Sequence, residues 1–505
     1  MHSIDMMVSE ALEGISPDIR NDRWHVRRRR AELQQCPHIK RMRGAGGDSH
    51  PHVPGPKATR FTRFYEFMYS ALQHNRYGNR VAEMHKEYGR IIRINPNEVH
   101  IHDPEFHLRF GQFPLKKKDP WYYNVGLPGA TGLICDERHH RSHRSTLIAH
   151  LKPRLEDEVP ALLRDKMDCL CNRLREYAST DTAVNLSDAF RSLAWDCLSV
   201  ILLGSCDDLL LQSDLGHQRL LILRSLLRHA AFLRQFPRLL CLERFLPEWL
   251  CRKFSPLVQT RRAIRKSVSD RIRQRKMENG LQCLVQALAN GKSPLHLADV
   301  VDETVEALLG GTEAIGHALT NIAHHVLKDL PLAARLQNEL QEGLFDVNMS
   351  PDALRNRFPL LDAIIKEGFR TELGNKYRFP RICETAMVYD GYCIPAGAIV
   401  SMSPQMTHAD PRIFRDPDTF QPARWLDPDS HELEKYLLNF GHGAHRCLGA
   451  SLARTVIKYV LARLFSEFRL APLGCTEPWT QDGSLEIFPP RSAGGLKAIV
   501  KINSL

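Results

Sequence analysis

The stretch that decides the fold is Asn439 to Arg454, NFGHGAHRCLGASLAR. Gly441 and Gly443 permit a tight turn close to a flat ligand, because glycine has no side chain and tolerates unusual backbone angles. Cys447 stands just before an amphipathic segment, 450–465, that predicts a helix. A cysteine at a helix N-terminus has its thiolate stabilised by free N–H groups and the helix dipole, which makes it a good axial ligand for iron. The plain alternative for a single cysteine is a buried free thiol.

The composition is that of a large globular protein. The chain has 505 residues, of which 43% are hydrophobic and 25% charged; this permits a large core and excludes a disordered or fibrous chain. The 69 basic and 58 acidic residues leave a net charge of +11, which favours an acidic partner or an anionic membrane surface. We expect no nucleic-acid partner. Thirteen cysteines without a CxxC pair argue against a disulfide framework or zinc finger and indicate an intracellular protein.

Residues 1–53 are expected to form a basic, poorly ordered extension. The basic run RWHVRRRR, 24–31, is followed by a Gly/Pro/His-rich stretch, 44–56, and neither provides the apolar segment of a signal peptide. We interpret the arginine run as a solvated charge block, with attraction to a membrane as the minor alternative. No run of about 18 or more apolar residues occurs, so the sequence does not predict a spanning helix.

From residue 54 to residue 505 the pattern is that of a single, mainly α-helical domain. Short strands are expected in two places, 90–104 around Asn95-Pro96-Asn97 and 376–404 around turns at Asp390-Gly391 and Ala396-Gly397. The expected fold is a helical bundle with a small β subdomain. Helix-spaced apolar positions occur at 61–89, and long helices are predicted at about 155–178, 185–204, 215–236, 256–279 and 297–329.

The longest predicted helix runs from Leu297 to Asp329. Its apolar positions step by four and three residues and form one stripe that ends before Pro331. At 1.5 Å per residue, about 33 residues span roughly 50 Å, so this helix should cross the domain. Gly310 and Gly311 lie in its middle, where each costs about 1 kcal/mol relative to alanine. Two adjacent glycines therefore need a reason, such as the close approach of a ligand.

The segment FGHGAHRCLG, 440–449, resembles the haem-thiolate signature of the cytochrome P450 family, whose usual form is FGxGxRxCxG. The resemblance covers about 54–500 and implies the cytochrome P450 fold, haem b as cofactor and Cys447 as the proximal iron ligand. His445 replaces the usual arginine, Arg446 follows it, and His445 can still donate to a haem propionate. By resemblance, the haem-binding residues of this loop are Phe440, Gly441, Gly443, His445, Arg446, Cys447 and Gly449.

Glu367 and Arg370 match the family's ExxR pair. They lie three residues apart on one predicted helix face and can form an ion pair. In the family a second arginine completes the triad, and FQPARW, 420–425, supplies Arg424. A buried triad of this kind would brace the loop that carries Cys447, so we expect a structural role for it.

Two upstream positions match the family's propionate ligands. The segment DERHHRSHRSTL, 136–147, places His140 and Arg144 four residues apart on one helix face, although a generic basic helix is the plain alternative. In the family these positions reach the haem propionates, where charge-assisted bonds anchor the cofactor. Arg381 is a further haem-binding candidate by resemblance.

The central helix carries GGTEA, 310–314, which resembles the family's (A/G)GxE/DT and makes Gly311, Thr312 and Glu313 the catalytic candidates. Ala314 occupies the position of the usual threonine, whose hydroxyl helps to hold dioxygen and relay protons. Thr312 lies about 200° away around the helix and cannot replace it. Either a substrate hydroxyl or ordered water completes the relay with Glu313, or oxygen activation is poorly coupled. The plain alternative for Glu313 is a surface carboxylate.

The resemblance implies a monooxygenase that inserts one oxygen atom from dioxygen into a small apolar molecule, with electrons from NADPH through a flavin-containing cytochrome P450 reductase. We expect Arg446, Arg454 and Lys458 to form a basic docking face for this reductase. Fungal secondary-metabolite members similar to trichodiene oxygenase match best, which favours a terpenoid, polyketide or alkaloid. Two alternatives stay open: a haem-thiolate isomerase, dehydratase or peroxygenase, which Ala314 favours, and a haem-binding protein without turnover.

Such members normally carry an N-terminal anchor and face the cytoplasm on the endoplasmic reticulum. Because this sequence shows none, we expect a peripheral contact through 232–257 or a cytoplasmic protein, with a buried helix-turn-helix as the equal alternative for 232–257. By family placement, substrate contacts are expected at 121–130, 225–250, 309–314 and 377–379.

Overall fold

The computed structural model describes most of the chain in ten stretches. The basic extension expected at 1–53 lies outside them except for Val53, and so do 236–255 in the expected membrane and substrate regions and Tyr377. Among the helices described, none is long and apolar enough to cross a membrane. The described residues are 53–72, 76–157, 159–235, 256–277, 288, 295–349, 353–354, 357–372, 378–473 and 495–503.

Helices dominate the described chain, as the sequence predicts, and the mainly α fold is confirmed. The helices are α1 Phe64–Phe67, α2 Tyr77–Tyr88, α3 Pro104–Leu108, α4 Pro120–Tyr123, α5 Glu137–Asp157, α6 Val159–Ser179, α7 Leu186–Leu203, α8 His217–Gln235, α9 Pro256–Met277, α10 Leu297–Lys328, α11 Leu330–Glu342, α12 Pro359–Arg370, α13 Pro404–His408, α14 His431–Glu434 and α15 Ala450–Glu467. The strands are β1 Ile91–Asn95, β2 Glu98–Ile101, β3 Lys117–Lys118, β4 Ala183–Asn185, β5 Arg381–Ile382, β6 Met387–Tyr389, β7 Tyr392–Ile394, β8 Ile399–Ser401, β9 Phe468–Leu473 and β10 Lys497–Ile502.

The long central helix, α10, has nearly its predicted bounds. It ends before Asp329, whose side chain accepts a hydrogen bond from the Leu332 N–H and so caps α11. The helices α6 to α9 likewise start and stop within a few residues of their predicted ends. The region 61–89 differs, because it divides into α1, a π-helical turn at Met68–Leu72 and α2.

The strands form small sheets beside the helices. One sheet has the order β1-β2-β8-β5-β3, in which β2 and β8 run parallel and the other neighbours antiparallel. A second has the order β4-β10-β9, and β6 and β7 form a hairpin. The hairpin turns at Asp390 and Gly391, both with positive φ (48° and 79°), as a tight two-residue turn requires. The two predicted strand regions are thus confirmed.

The central helix crosses α7 at close range. A Cβ added to Gly311 would lie 2.7 Å from Leu198 Cδ1, and one added to Gly316 would lie 2.4 Å from Arg191 Cγ. Gly311 therefore serves helix packing, since a side chain there would push α7 away. A Cβ added to Gly310 would meet nothing within 4 Å. The two adjacent glycines thus serve different purposes. Gly311 permits the close approach of α7, whereas Gly310 borders open space.

The carboxylate of Glu367, in α12, is fully buried and accepts five hydrogen bonds. Arg370 donates two, from Nη2 at 2.8 Å and Nε at 2.9 Å. Arg424 Nε donates at 3.2 Å, Trp425 Nε1 at 2.8 Å and the Gln421 N–H at 2.8 Å. Because every acceptor position is used, the cost of burying the charge is offset.

The same network ties the chain that approaches Cys447 to α12. Arg370 also donates to the carbonyls of His408, Pro417 and Thr419 at 3.0, 2.7 and 2.8 Å. Further on, Asn439 Nδ2 donates to the Phe369 carbonyl at 2.7 Å. The segment from His408 to Asn439 is therefore held to one end of a single helix.

We predict that Glu367→Gln destabilises the protein by about 3–5 kcal/mol, because it leaves two arginines without their countercharge in a buried site. The free energy of unfolding from urea denaturation measures this. The control is Lys366→Met on the same helix, which removes an exposed pair with Glu434 (2.5 Å) and should cost about 0–1 kcal/mol. Equal losses in both variants would contradict a bracing role for Glu367.

Candidate active site

The loop that carries Cys447 is closed by its own backbone. The Cys447 N–H donates to the Phe440 carbonyl at 2.8 Å, and the Arg446 N–H donates to the Gly443 carbonyl at 3.1 Å. Gly441 and Gly443 both have a φ of 64°, a conformation that side-chain-bearing residues rarely adopt. The two glycines are therefore what allows the chain to turn back and present Cys447 just before α15.

Two ring contacts fix the base of this loop. Phe440 packs edge-on against Phe369 of α12, with ring centroids 5.4 Å apart. The Arg454 guanidinium lies over the ring of Phe440, 4.8 Å from the ring centroid. The loop is thus clamped between α12 and the first turns of α15.

The thiol of Cys447 is exposed, unlike most cysteines in a folded core. Its surroundings nevertheless exclude enough water to raise its pKa, and the carboxylate of Glu306 raises it further. The N–H of Gly449 and the guanidinium groups of Arg144 and Arg446 act in the opposite direction. The N–H at the start of α15 and the two guanidinium groups therefore offset only part of the effect of burial on the thiol.

Five basic side chains converge beside the loop; we name Lys118, His140, Arg144, Arg381 and His445 the cationic cluster. The rings of His140 and His445 lie 4.3 Å apart. Lys118 and Arg381 both lie over the ring of Tyr123, at 5.2 and 5.5 Å, and Arg381 Nη1 donates to the Tyr123 hydroxyl at 2.6 Å. Four of the five positions were predicted from the sequence as haem ligands, and the structure brings them together.

The cationic cluster has no described carboxylate at ion-pair distance from its lysine and arginines, although Glu306 acts on Lys118 from farther away. Among the described residues, no carboxylate forms an ion pair with Lys118, Arg144 or Arg381. Burial, followed by the positive charges of Lys118, Arg144 and Arg381, lowers the pKa of His140 to about 4. Burial and Arg381 lower the pKa of Lys118 to about 7. A bound anion would favour the charged forms of these two groups.

The sequence did not reveal Lys118, and it placed Tyr123 only within the substrate-contact region expected at 121–130. Lys118 is the third residue of a lysine run, 116–118, which reads as a solvated charge block. In the structure Lys116 and Lys117 are exposed, whereas Lys118 is buried and donates to the Gly132 carbonyl at 2.7 Å. The alternation of strand β3 turns one lysine inward, but no local pattern shows which one.

The central helix presents an open face to this region. Gly310 borders open space, and Ala314, four residues on, is exposed although its helix is otherwise largely buried. Glu306, one turn before Gly310, lies near enough to Cys447 to influence its thiol. Residues four apart share a helix face. We name the space between this face and the Cys447 loop the gap.

The three predicted catalytic candidates face other sides of α10 than Gly310 and Ala314 do. Glu313 is buried and paired with Arg191 of α7, whose Nε lies 3.2 and 3.1 Å from its two carboxylate oxygens, so it is not a surface carboxylate. Gly311 packs against Leu198. Thr312 is buried, and its hydroxyl finds no partner among the described residues. The structure therefore does not bring these three together with Gly310 and Ala314.

The expected basic docking face is wrong in one member. Lys458 is buried and its Nζ pairs with Asp362 Oδ1 at 2.6 Å. Arg446 and Arg454 are both exposed, and the Arg454 guanidinium lies over the ring of Phe440. Asp362 belongs to α12, which therefore covers this part of α15.

The residues present fit haem. Cys447 offers one thiol, which suffices for a metal held in a macrocycle, and the cationic cluster suits two propionates. His445 Nδ1 is buried without a hydrogen-bond partner in the described residues, which leaves it free for a carboxylate. Glycines at 310, 441, 443 and 449 leave room for a flat group, since a Cβ added at any of them would meet nothing closer than 3.9 Å.

Comparison with known proteins agrees with this geometry. The model of the family Cytochrome P450 matches residues 56–495. N-acetyltryptophan 6-hydroxylase ivoC of Emericella nidulans is 28% identical over 89% of this chain and 91% of the relative. Tryptophan 6-hydroxylase fscE of Fusarium equiseti is 29% identical, over 82% and 84%. Cytochrome P450 monooxygenase TRI4 of Fusarium sporotrichioides is 28% identical, over 82% and 83%.

These matches cover nearly the whole domain that the sequence predicts and agree with the mainly α fold built around the Cys447 loop. The chain belongs to the cytochrome P450 family, as a haem-thiolate monooxygenase.

Proposed function

We propose that this cytochrome P450 holds the iron of haem b through Cys447, holds the propionates through the cationic cluster, and hydroxylates a small, largely apolar molecule of secondary metabolism. The proposal rests on one observation. The exposed Cys447 lies beside the cationic cluster, whose lysine and arginines form no ion pair with a described carboxylate, and beside the open face of α10. The hydroxylases and monooxygenases named among the relatives favour oxygen insertion. When bound, haem would supply the activation of dioxygen, so that one oxygen atom is inserted into the substrate and the other is reduced to water with the two electrons from the redox partner.

The protein's own residues do the positioning. Arg144, Arg381 and Lys118 bind the carboxylates and fix the orientation of the group, with Tyr123 holding Arg381 in place. The triad of Glu367, Arg370 and Arg424 keeps the Cys447 loop in register with α12, and we propose a scaffold role for it. Gly310 and Ala314 leave space for dioxygen and substrate on the opposite side.

Proton delivery needs another route than the family's threonine. Ala314 lacks a hydroxyl, and Glu313 is engaged by Arg191 at 3.1 Å. We propose that ordered water or a hydroxyl of the substrate completes the relay, with the pair of Glu313 and Arg191 as its buried end. Ala314 is also the feature that favours an isomerase, dehydratase or peroxygenase; the named hydroxylases weigh against those reactions and against a protein without turnover.

Electrons come from a redox partner, for which we propose the NADPH-dependent flavin reductase. Exposed Arg446, next to Cys447, lies on the surface nearest the thiol and suits an acidic partner. The cytoplasmic face of the endoplasmic reticulum remains our proposal for the location. The 232–257 segment proposed for membrane contact lies largely outside the described residues.

The ligand role of Cys447 predicts a spectroscopic loss. Reduced, haem-loaded protein with carbon monoxide should show the red-shifted Soret band of a thiolate-bound iron, and Cys447→Ser should abolish it, because an alcohol is a far weaker donor than a thiolate. Cys393→Ser, at an exposed cysteine, is the control and should keep the band. An unchanged spectrum in Cys447→Ser would refute the assignment.

Replacing Lys118 is expected to lower the affinity for haem. Lys118→Met should weaken haem binding by roughly tenfold to a hundredfold, since a hydrogen bond to a charged group is worth about 1.5–3 kcal/mol. The rate of haem transfer to excess apomyoglobin measures this. Lys117→Met removes the neighbouring, exposed lysine and should transfer haem at the original rate. If both variants behave alike, Lys118 does not hold a propionate.

Reversing the charge at Arg446 is expected to slow electron delivery from the reductase. With NADPH and reductase, Arg446→Glu should form the carbon monoxide complex several-fold more slowly at low salt, because reversing a docking charge lowers the association rate. Reduction by dithionite gives the total haem in each sample and corrects for any loss of cofactor. Arg469→Glu, at an exposed site on β9, is the control. Equal rates in the three proteins would place the docking surface elsewhere.

A further inference from the structure

The ring of His408 lies between the end of α13 and the chain that approaches the Cys447 loop. His408 is the last residue of α13 and is buried. Its Nε2 accepts a hydrogen bond from the Leu438 N–H at 2.9 Å. Leu438 is fully buried, and within the described residues its N–H has no second acceptor. Because a buried N–H without a partner is costly, the Leu438 peptide depends on this ring.

The Leu438 peptide is also the start of the glycine turn. Its carbonyl accepts a hydrogen bond from the Gly441 N–H at 3.0 Å. The next carbonyl of the turn, that of Phe440, accepts from the Cys447 N–H at 2.8 Å. The ring of His408 is therefore linked to the backbone of Cys447 through one short run of hydrogen-bonded peptides.

His408 has a second partner, on α12. Its carbonyl accepts from Arg370 Nη1 at 3.0 Å. The residue after Leu438 is held to the same helix, since Asn439 Nδ2 donates to the Phe369 carbonyl at 2.7 Å. One residue thus binds the bracing arginine through its backbone and the start of the turn through its ring. Packing alone would not need the ring nitrogen, because a phenylalanine fills a similar space.

The charge of the ring matters for this contact. An imidazole accepts a hydrogen bond only at a nitrogen that carries no proton, so His408 has to be neutral. Burial, followed by the positive charge of Arg370, lowers the pKa of His408 to about 3, and a backbone hydrogen bond with Tyr436 acts in the opposite direction. The neighbouring His107 of α3 is buried too, and its pKa is also lowered. The surroundings therefore keep the acceptor available at neutral pH.

We propose that His408 is a positioning residue, whose neutral ring fixes the Leu438 peptide and thereby the place of the Cys447 sulfur. It acts through the backbone of Leu438 and Gly441 and not through contact with the reacting atoms. The inference rests on the proposed function, because it takes that sulfur to be the iron ligand. It extends that function by one residue outside the triad of Glu367, Arg370 and Arg424.

The test uses three substitutions at one position. His408→Phe keeps a flat ring and removes the acceptor. His408→Gln brings an amide oxygen close to the place of Nε2, and His408→Asn carries the same group on a side chain shorter by one methylene. If the acceptor is what matters, Gln should restore what Phe and Asn lose. If only bulk matters, Phe should be the mildest change of the three.

Two measurements on the haem-loaded full chain read the result. The first is the Soret band of the reduced carbon monoxide complex, which separates thiolate-bound iron from iron without its thiolate. We expect the ratio of the two forms to fall by about tenfold or more in His408→Phe and His408→Asn, and to stay within about threefold in His408→Gln. The second is hydrogen exchange of the segment 436–441, which should be about tenfold to a hundredfold faster in the Phe and Asn variants.

The control is His85→Phe. His85 is likewise buried and bonded to a carbonyl, that of Gly89, at 2.7 Å, but its other bond goes to His100 and not to the loop. This variant should keep the thiolate band. The proposal is overturned if His408→Phe keeps both the band and slow exchange, if His408→Gln is impaired as much as His408→Asn, or if His85→Phe loses the band equally.

Hydrogen exchange separates this result from the proposed function. Faster exchange at 436–441 in His408→Phe, with recovery in His408→Gln, supports the role of His408 in holding the turn. Unchanged exchange in all three variants refutes that role and leaves the haem assignment intact, since the Cys447→Ser spectrum decides the latter independently.

Discussion

The buried charge of Glu367 is the constraint on which the site depends. One carboxylate removed from water binds two arginines, an indole N–H and a backbone N–H, and its arginine partner binds three carbonyls of the approaching chain. Because an unpaired charge is so costly in this position, the segment has one arrangement that satisfies every partner. That arrangement sets where the glycine turn begins, and hence where Cys447 points.

The cationic cluster is the part of the site whose charge the protein leaves unbalanced. Among the described residues, no carboxylate forms an ion pair with Lys118, Arg144 or Arg381. Like charges brought together out of water repel one another, so the cluster alone is unfavourable. A bound group with two carboxylates, such as haem, would relieve that repulsion.

Much of the fold could be predicted because its determinants are local. The apolar stripe of α10 has the period of a helix, and Asp329 with Pro331 ends it within one residue of the expected position. Asp390 and Gly391 adopt the positive φ angles that their turn needs. The region 61–89 was less predictable, because its apolar positions suit a helix but do not show where a π turn at Met68–Leu72 interrupts it.

By itself the sequence determined the pieces whose partners lie a few residues away: the turn before Cys447, the pair of Glu367 and Arg370, and the shared helix face of His140 and Arg144. Only the tertiary structure decided which of three lysines turns inward, that Asp362 pairs with Lys458, and that Arg191 engages Glu313. The physical reason is that burial and charge balance depend on neighbours distant in the chain, which periodicity and spacing do not encode.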